Sequence, residues 1–176
     1  MISKMIKTDI IIIGAGPVGL FAVFEAGLLN MKCHLIDILP KPGGQCIELY
    51  PKKPIYDIPG YPEILAGDLI KNLLKQSSQF QTGYKLAERA EKFEKLKDGN
   101  FLITTDKGTR HCAPVVVIAG GLGGFQPRKP NFEALSNYEN KGVCYFVKDP
   151  KKFKNKNIII SGGGDSAFDW TMVLSK

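Results

Sequence analysis

Gly14-Ala15-Gly16-Pro17-Val18-Gly19 satisfies the spacing G-x-G-x-x-G. The chemistry it offers is capture of a pyrophosphate by backbone, not by side chains. The first glycine permits a tight turn, the second lets the main chain approach phosphates closely, and the third allows a helix to pack against a strand. A helix opening there presents unpaired N–H groups and the positive end of its dipole to the phosphate charge. Pro17 lacks an N–H and has a preset φ, which suits the first helical turn. The spacing alone is weak evidence; its context strengthens it. A strand-like run precedes the turn, a helical run follows, and Asp37 closes the next strand about twenty residues on, where a carboxylate can accept hydrogen bonds from ribose hydroxyls.

A second glycine turn, "GGGDSA", stands near the other end and gives the form G-x-G-x-x-A through Gly162, Gly164 and Ala167. The first motif cannot separate FAD from NAD(P). Two such fingerprints in one chain suggest two dinucleotides, one a bound flavin and one a nicotinamide coenzyme. The second copy is followed by neither a confirming strand nor a ribose-binding residue.

The elements that must position these turns are legible as patterns. "TDIIIIG" is a β-branched run of the kind buried on both sheet faces. Residues 17–30 fit a buried helix, and "MKCHLID" reads as a strand ending in an acidic residue, so the three make a βαβ unit with a parallel pair. A long loop dense in Pro and Gly covers 38–63, a length that is usually functional inside a compact domain. "AGDLIKNLLKQSSQF" carries Leu69, Ile70, Leu73 and Leu74 at helical spacing. Helix propensity favours a helix for "KLAERAEKFEKL", but the segment is taken as a strand if it joins the meander that follows. "GNFLITTDKGTRHCAPVVVIAGG" gives strand, turn, strand and a fully apolar strand. After the Gly/Pro cluster "GGLGGFQPRKP", the run "KNIIISGGGDSAFDW" repeats strand, glycine turn and helix.

Composition is that of a soluble globular protein: 44% apolar and 23% charged over 176 residues. The net charge of +7 favours an acidic partner. The one dense run of lysines, "KDPKKFKNKN", holds a single aromatic and no nucleic-acid motif, and reads as a solvated loop. Four cysteines form no CxxC pair; Cys33 and Cys112 lie in strand patterns and read as core, with reduced thiols in a cytoplasmic protein the default. The uncharged run 10–24 after Lys4 and Lys7 imitates a signal peptide, but its glycines and proline break it, no cleavage pattern follows, and it is too short to span a bilayer. His34 and His111 sit in strand-like patterns and read as surface or core residues, not catalysts.

"IIIGAGPVGLFA", "PGGQCIELYPKKPIYDIPGYP", "VVVIAGGLGGFQPRKP" and "IIISGGGDSAFDW" together resemble the thioredoxin-reductase-like (type 2) ferredoxin–NADP reductases of bacteria, along the whole chain. The resemblance implies a three-layer FAD/NAD(P)-binding α/β domain of Rossmann type, with a parallel sheet and a β-meander, over residues 1–121. Over 122–176 it implies the start of a second Rossmann-like domain for NADP. Carried over by position, it puts FAD phosphates at Gly14, Gly16, Pro17 and Gly19, and the adenosine ribose on Asp37. Flavin-side contacts fall on Gln45, Tyr50 and Phe125, and the adenine on the backbone of Ala90, the reason a strand is preferred there. NADP falls on Gly162, Gly164, Asp165, Ser166 and Ala167.

In the implied reaction NADPH reduces the flavin by hydride transfer, and electrons pass singly to ferredoxin or flavodoxin, so no acid–base residue or metal is required. Thioredoxin reductases carry a CxxC before the second glycine motif; here Cys144 is followed three residues later by Val147, which excludes a dithiol at that place. A disulfide reductase would need another pair, such as Cys33 with Cys46. The remaining alternative is a flavin- or nucleotide-binding module without turnover. The resemblance further implies a homodimer, with no nucleic-acid or membrane partner. Family members are about twice this length, so the chain is expected to be an N-terminal fragment lacking the segment that returns to the FAD domain, with reduced or no activity by itself.

Overall fold

The computed structural model describes residues 5–124, 129–139, 141–147 and 149–175. The chain divides into two compact units, Met1–Arg128 and Lys129–Lys176.

The first unit is three-layered. A short strand β1 (Ile6–Lys7) leads to β2 (Ile10–Ile13), helix α1 (Pro17–Leu28) and β3 (Cys33–Asp37). A five-residue helix α2 (Gly44–Glu48) and a two-stranded ribbon, β4 (Pro54–Ile55) with β5 (Ile64–Leu65), fill the Pro/Gly-rich loop. Then come α3 (Ala66–Ser77), β6 (Thr82–Leu86), β7 (Ala90–Lys95), β8 (Phe101–Thr105), β9 (Arg110–Ala113) and β10 (Val115–Ile118). One sheet is parallel, in the order β10-β2-β3-β6; the other is the meander, in the order β1-β9-β8-β7. The segment that helix propensity pulled the other way is thus strand, because β7 pairs antiparallel with β8 from Ala90↔Thr105 to Lys95↔Phe101. Cross-strand pairing outweighs the local preference.

Strand alternation builds two cores. Ile12 and Leu35 face one side, where Leu20, Val23 and Ala26 of α1 and Ile70 of α3 bury them. Ile11 and Ile36 face the other, against Ile103 and Ala113 of the meander. The central strands are covered on both faces, which explains their unbroken β-branched runs. Leu20 is fully buried in the helix-side core. Leu20→Ala is expected to lower unfolding stability by about 3 kcal/mol, the usual cost of a core cavity, as read from a guanidinium midpoint.

Parallel strands need crossovers, and these set the position of the site. From β2 the chain steps outward to β3 and β6, then returns through the meander to β10 on the opposite side of β2. The sequence order therefore reverses between β2 and β10. In open α/β sheets ligands bind in the crevice at such a switch point, beyond the carboxyl ends of the strands.

The second unit carries 3₁₀ turns at Glu133–Tyr138 and Pro150–Phe153 and helix α4 (Asp165–Leu174). Lys129 Nζ lies 2.8 Å from a Glu139 oxygen that also accepts the Tyr145 hydroxyl at 3.1 Å. The strand expected over "KNIII" is not formed: residues 156–163 have no regular structure, and Ile159 is 95% exposed. A strand exists only as part of a ladder, and among the described residues of this unit no partner strand is available.

Candidate functional site

Gly14 begins where β2 ends. Its N–H donates to the Ile36 carbonyl at 2.8 Å, and the Ala119 N–H donates to the Ile13 carbonyl at 2.7 Å, so β2 is tied to both neighbours at the point where it turns. Gly14 has φ +107, and a Cβ there would run into the Ala119 carbonyl. At Gly19 a Cβ would strike the Gly14 carbonyl. These two glycines are obligatory for packing alone. Gly16 is different: it has φ −73, and a Cβ would meet nothing within 4 Å. The space over Gly16 is open, which is the cradle that a close-approaching diphosphate requires.

Helix α1 starts directly from this turn, with Gly16 at its N-cap and Pro17 as first residue, and no side chain caps it. Its first amides are therefore unclaimed by side chains and lie at the positive end of the dipole. Asp37 closes the arrangement. Its Oδ2 accepts the Ala15 N–H at 2.6 Å, and its Oδ1 accepts the Leu39 N–H at 2.7 Å. An ionised carboxylate offers about four lone-pair directions, and these bonds use two, leaving acceptor capacity beside the turn.

The loop after β3 reaches the same place. The Gly43 N–H donates to the Ala15 carbonyl at 2.8 Å, and Gly44 packs against Gly16. Gln45 follows in α2, with its amide nitrogen beside Gly121. The turns 14–19, 43–45 and 119–121 thus converge at the switch point. Tyr50, just past α2, packs half-buried on the helix-side core, and burial pushes its hydroxyl pKa up, with Cys46 and Asp57 adding to the rise. Ala90 opens β7 and packs against the meander-side core. Phe125 lies outside the described residues.

In the second unit Gly162 has φ +152 and approaches Ala167, while Gly164 caps α4, whose first residues are Asp165 and Ser166. The local turn has the form expected of a phosphate loop, without a strand feeding it.

The four cysteines are free, and Cys144 is exposed. Cys33, Cys46 and Cys112 are buried. Burial, and for Cys33 also Asp9, raises the pKa of Cys33 and Cys46, holding both as thiols where reactivity needs thiolate. Among the described residues no cluster of His, Cys, Asp or Glu could hold a metal, and no helix is long and apolar enough to cross a membrane. The turn after β10 is one wall of the crevice, in keeping with the glycine cluster at 120–124. One feature escapes the sequence reading. Glu88, in a run of charged residues, is buried.

A model of the family described as pyridine nucleotide-disulphide oxidoreductase matches residues 8–176. Ferredoxin--NADP reductase 1 of Christiangramia forsetii is 64% identical over 171 residues, covering 97% of this chain and 48% of that protein. The ferredoxin--NADP reductase of Parvibaculum lavamentivorans is 54% identical, covering 99% of this chain and 51% of that protein. The chain spans about half the length of the curated relatives it matches. Among solved structures, the thioredoxin reductase of Lactococcus lactis superposes with a TM-score of 0.76 at 26% identity, over 96% of this chain and 52% of that one.

Proposed function

Because the chain belongs to the pyridine nucleotide-disulphide oxidoreductase family, we propose that the Gly14 crevice holds the diphosphate of FAD and that the protein serves electron transfer from NADPH to ferredoxin. The observation carrying this reading is the bond from Ala15 N–H to Asp37 at 2.6 Å, which sets a carboxylate beside an uncapped helix start and an open Gly16. The names of the relatives support the reductase activity. FAD, when bound, supplies hydride acceptance and single-electron release. The protein's residues bind and orient: amides of 14–19 hold phosphate charge, Asp37 accepts the ribose hydroxyls, and Gln45, Tyr50 and Phe125 serve the flavin end.

Residues 1–121 form the FAD domain in this reading, and 122–176 supply the first turn of an NADP domain through Gly162, Gly164, Asp165, Ser166 and Ala167. Flavodoxin is a second acceptor of suitable chemistry, the assembly is a homodimer, and the location is the cytoplasm. The test is titration of the purified chain with FAD, followed by NADPH oxidation with ferredoxin as acceptor. The chain spans about half the length of its relatives, so flavin bound without turnover is the outcome expected of it by itself and supports a binding module. Turnover of NADPH with ferredoxin would assign the whole reaction to this chain, and no flavin binding removes the FAD reading. Asp37→Ala is expected to weaken FAD binding by at least tenfold, about the 1.5–3 kcal/mol of a hydrogen bond to a charged group, as read from quenching of flavin fluorescence.

A further inference from the structure

Glu88 is a buried carboxylate, 6% exposed, in the link between the parallel sheet and the meander. Its Oε2 accepts the Thr105 hydroxyl at 2.6 Å, and Lys85 Nζ lies 3.3 Å from Oε1. Thr105 Oγ1 in turn accepts the Thr109 N–H at 3.1 Å. Burial pushes the Glu88 pKa up, but hydrogen bonds from Thr105, Thr109 and Lys85 and the Lys85 charge outweigh it and hold the group below the usual range. A buried charge is tolerated only with such partners.

The backbone around this side chain leads to the site. The Glu88 N–H donates to the Asp37 carbonyl at 3.1 Å, and the Ala87 N–H donates to the Leu39 carbonyl at 3.0 Å, with Ala87 at φ +55. The Arg89 N–H donates to Asp106 at 2.9 Å, and Ala90 follows as the first residue of β7. Glu88 thus clamps residues 87–90 to the β8–β9 hairpin, and those residues hold the end of β3 where Asp37 turns into the crevice.

We propose that Glu88 is a positioning residue for the adenosine end of the dinucleotide: its bond to Thr105 fixes the segment that sets both Asp37 and the Ala90 backbone. This rests on reading the Gly14 crevice as a FAD site. The test measures FAD and ADP affinity of the 176-residue chain together with its melting temperature. Glu88→Ala and Thr105→Val are each expected to weaken FAD and ADP by the same factor, tenfold or more, with the spectrum of bound flavin unchanged. Glu88→Gln, which keeps an acceptor for Thr105, stays within threefold of the parent. Should Glu88→Ala fail to fold, Thr105→Val decides. Folded Thr105→Val with parental ADP affinity overturns the proposal, as does Glu88→Gln as damaged as Thr105→Val, or a lowered melting temperature without loss of affinity. A parent chain that binds neither FAD nor ADP overturns the FAD reading as well.

Discussion

Gly16→Ala is expected to weaken FAD binding by a hundredfold or more while lowering unfolding stability by only about 1 kcal/mol, the cost of alanine at a helix N-cap. The backbone at Gly16 has φ −73 and ψ −175, a conformation alanine adopts freely, and an added Cβ has no protein neighbour within 4 Å. Beyond the modest preference for glycine over alanine at a helix N-cap, folding has no use for a glycine there. What the methyl would occupy is the space over the start of α1, where a diphosphate must come within hydrogen-bond distance of the amides. Loss of two charge-assisted bonds at about 1.5 kcal/mol each amounts to roughly a hundredfold.

Gly14→Ala supplies the contrast. There φ is +107 and the new Cβ meets backbone, the Ala119 carbonyl, which cannot rotate away. This variant is expected to lose more than about 4 kcal/mol and to fold poorly. Paired measurements of denaturant midpoint and flavin affinity separate the two roles within one motif. Parental flavin affinity in folded Gly16→Ala would remove the diphosphate from this turn.

The βαβ unit could be read from the sequence because its determinants are local. An unbroken β-branched run, a glycine turn with Pro17 and an acidic strand end leave few alternatives, and the Ala15–Asp37 bond follows from that geometry. β6 escaped notice because it lies at the edge of the sheet, where Tyr84 is exposed and Gly83 breaks the apolar pattern. α2 was hidden among glycines and prolines, five residues long and entered through Gly43 and Gly44 at positive φ. Nothing local marks Glu88 as buried among its charged neighbours, since its burial depends on Thr105 arriving from β8. "KNIII" failed in the opposite sense: its local pattern is that of a buried strand, but pairing is not a local property.

The histidines make the remaining large prediction. His34 on β3 and His111 on β9 face each other between the two sheets, with ring centroids 4.7 Å apart. Among the described residues neither nitrogen of His111, nor Nδ1 of His34, has a hydrogen-bond partner. Burial lowers both pKa values. For His111 the neighbouring His34 lowers it further, Glu88 pulls it up and Lys85 down, leaving it at about 4; for His34 the added effect is that of Lys85. Above pH 6.5 both rings are neutral, folded or unfolded, and cost nothing in protons. Below it the unfolded chain takes up a proton at His111 that the folded chain refuses down to about pH 4, so stability falls as the pH falls through that window. His111 alone accounts for about 3 kcal/mol of loss by pH 4, and His34 adds to it in the same direction. His111→Phe, which keeps a ring in the slot and removes the orphaned nitrogens, is expected to match or exceed the parent at pH 7 and to lose about 3 kcal/mol less on acidification to pH 4. Carboxylates elsewhere titrate in both proteins and cancel in the difference. Guanidinium midpoints at pH 7, 5.5 and 4 give the result, and parallel profiles for parent and variant would show that the slot between the sheets does not exclude the proton.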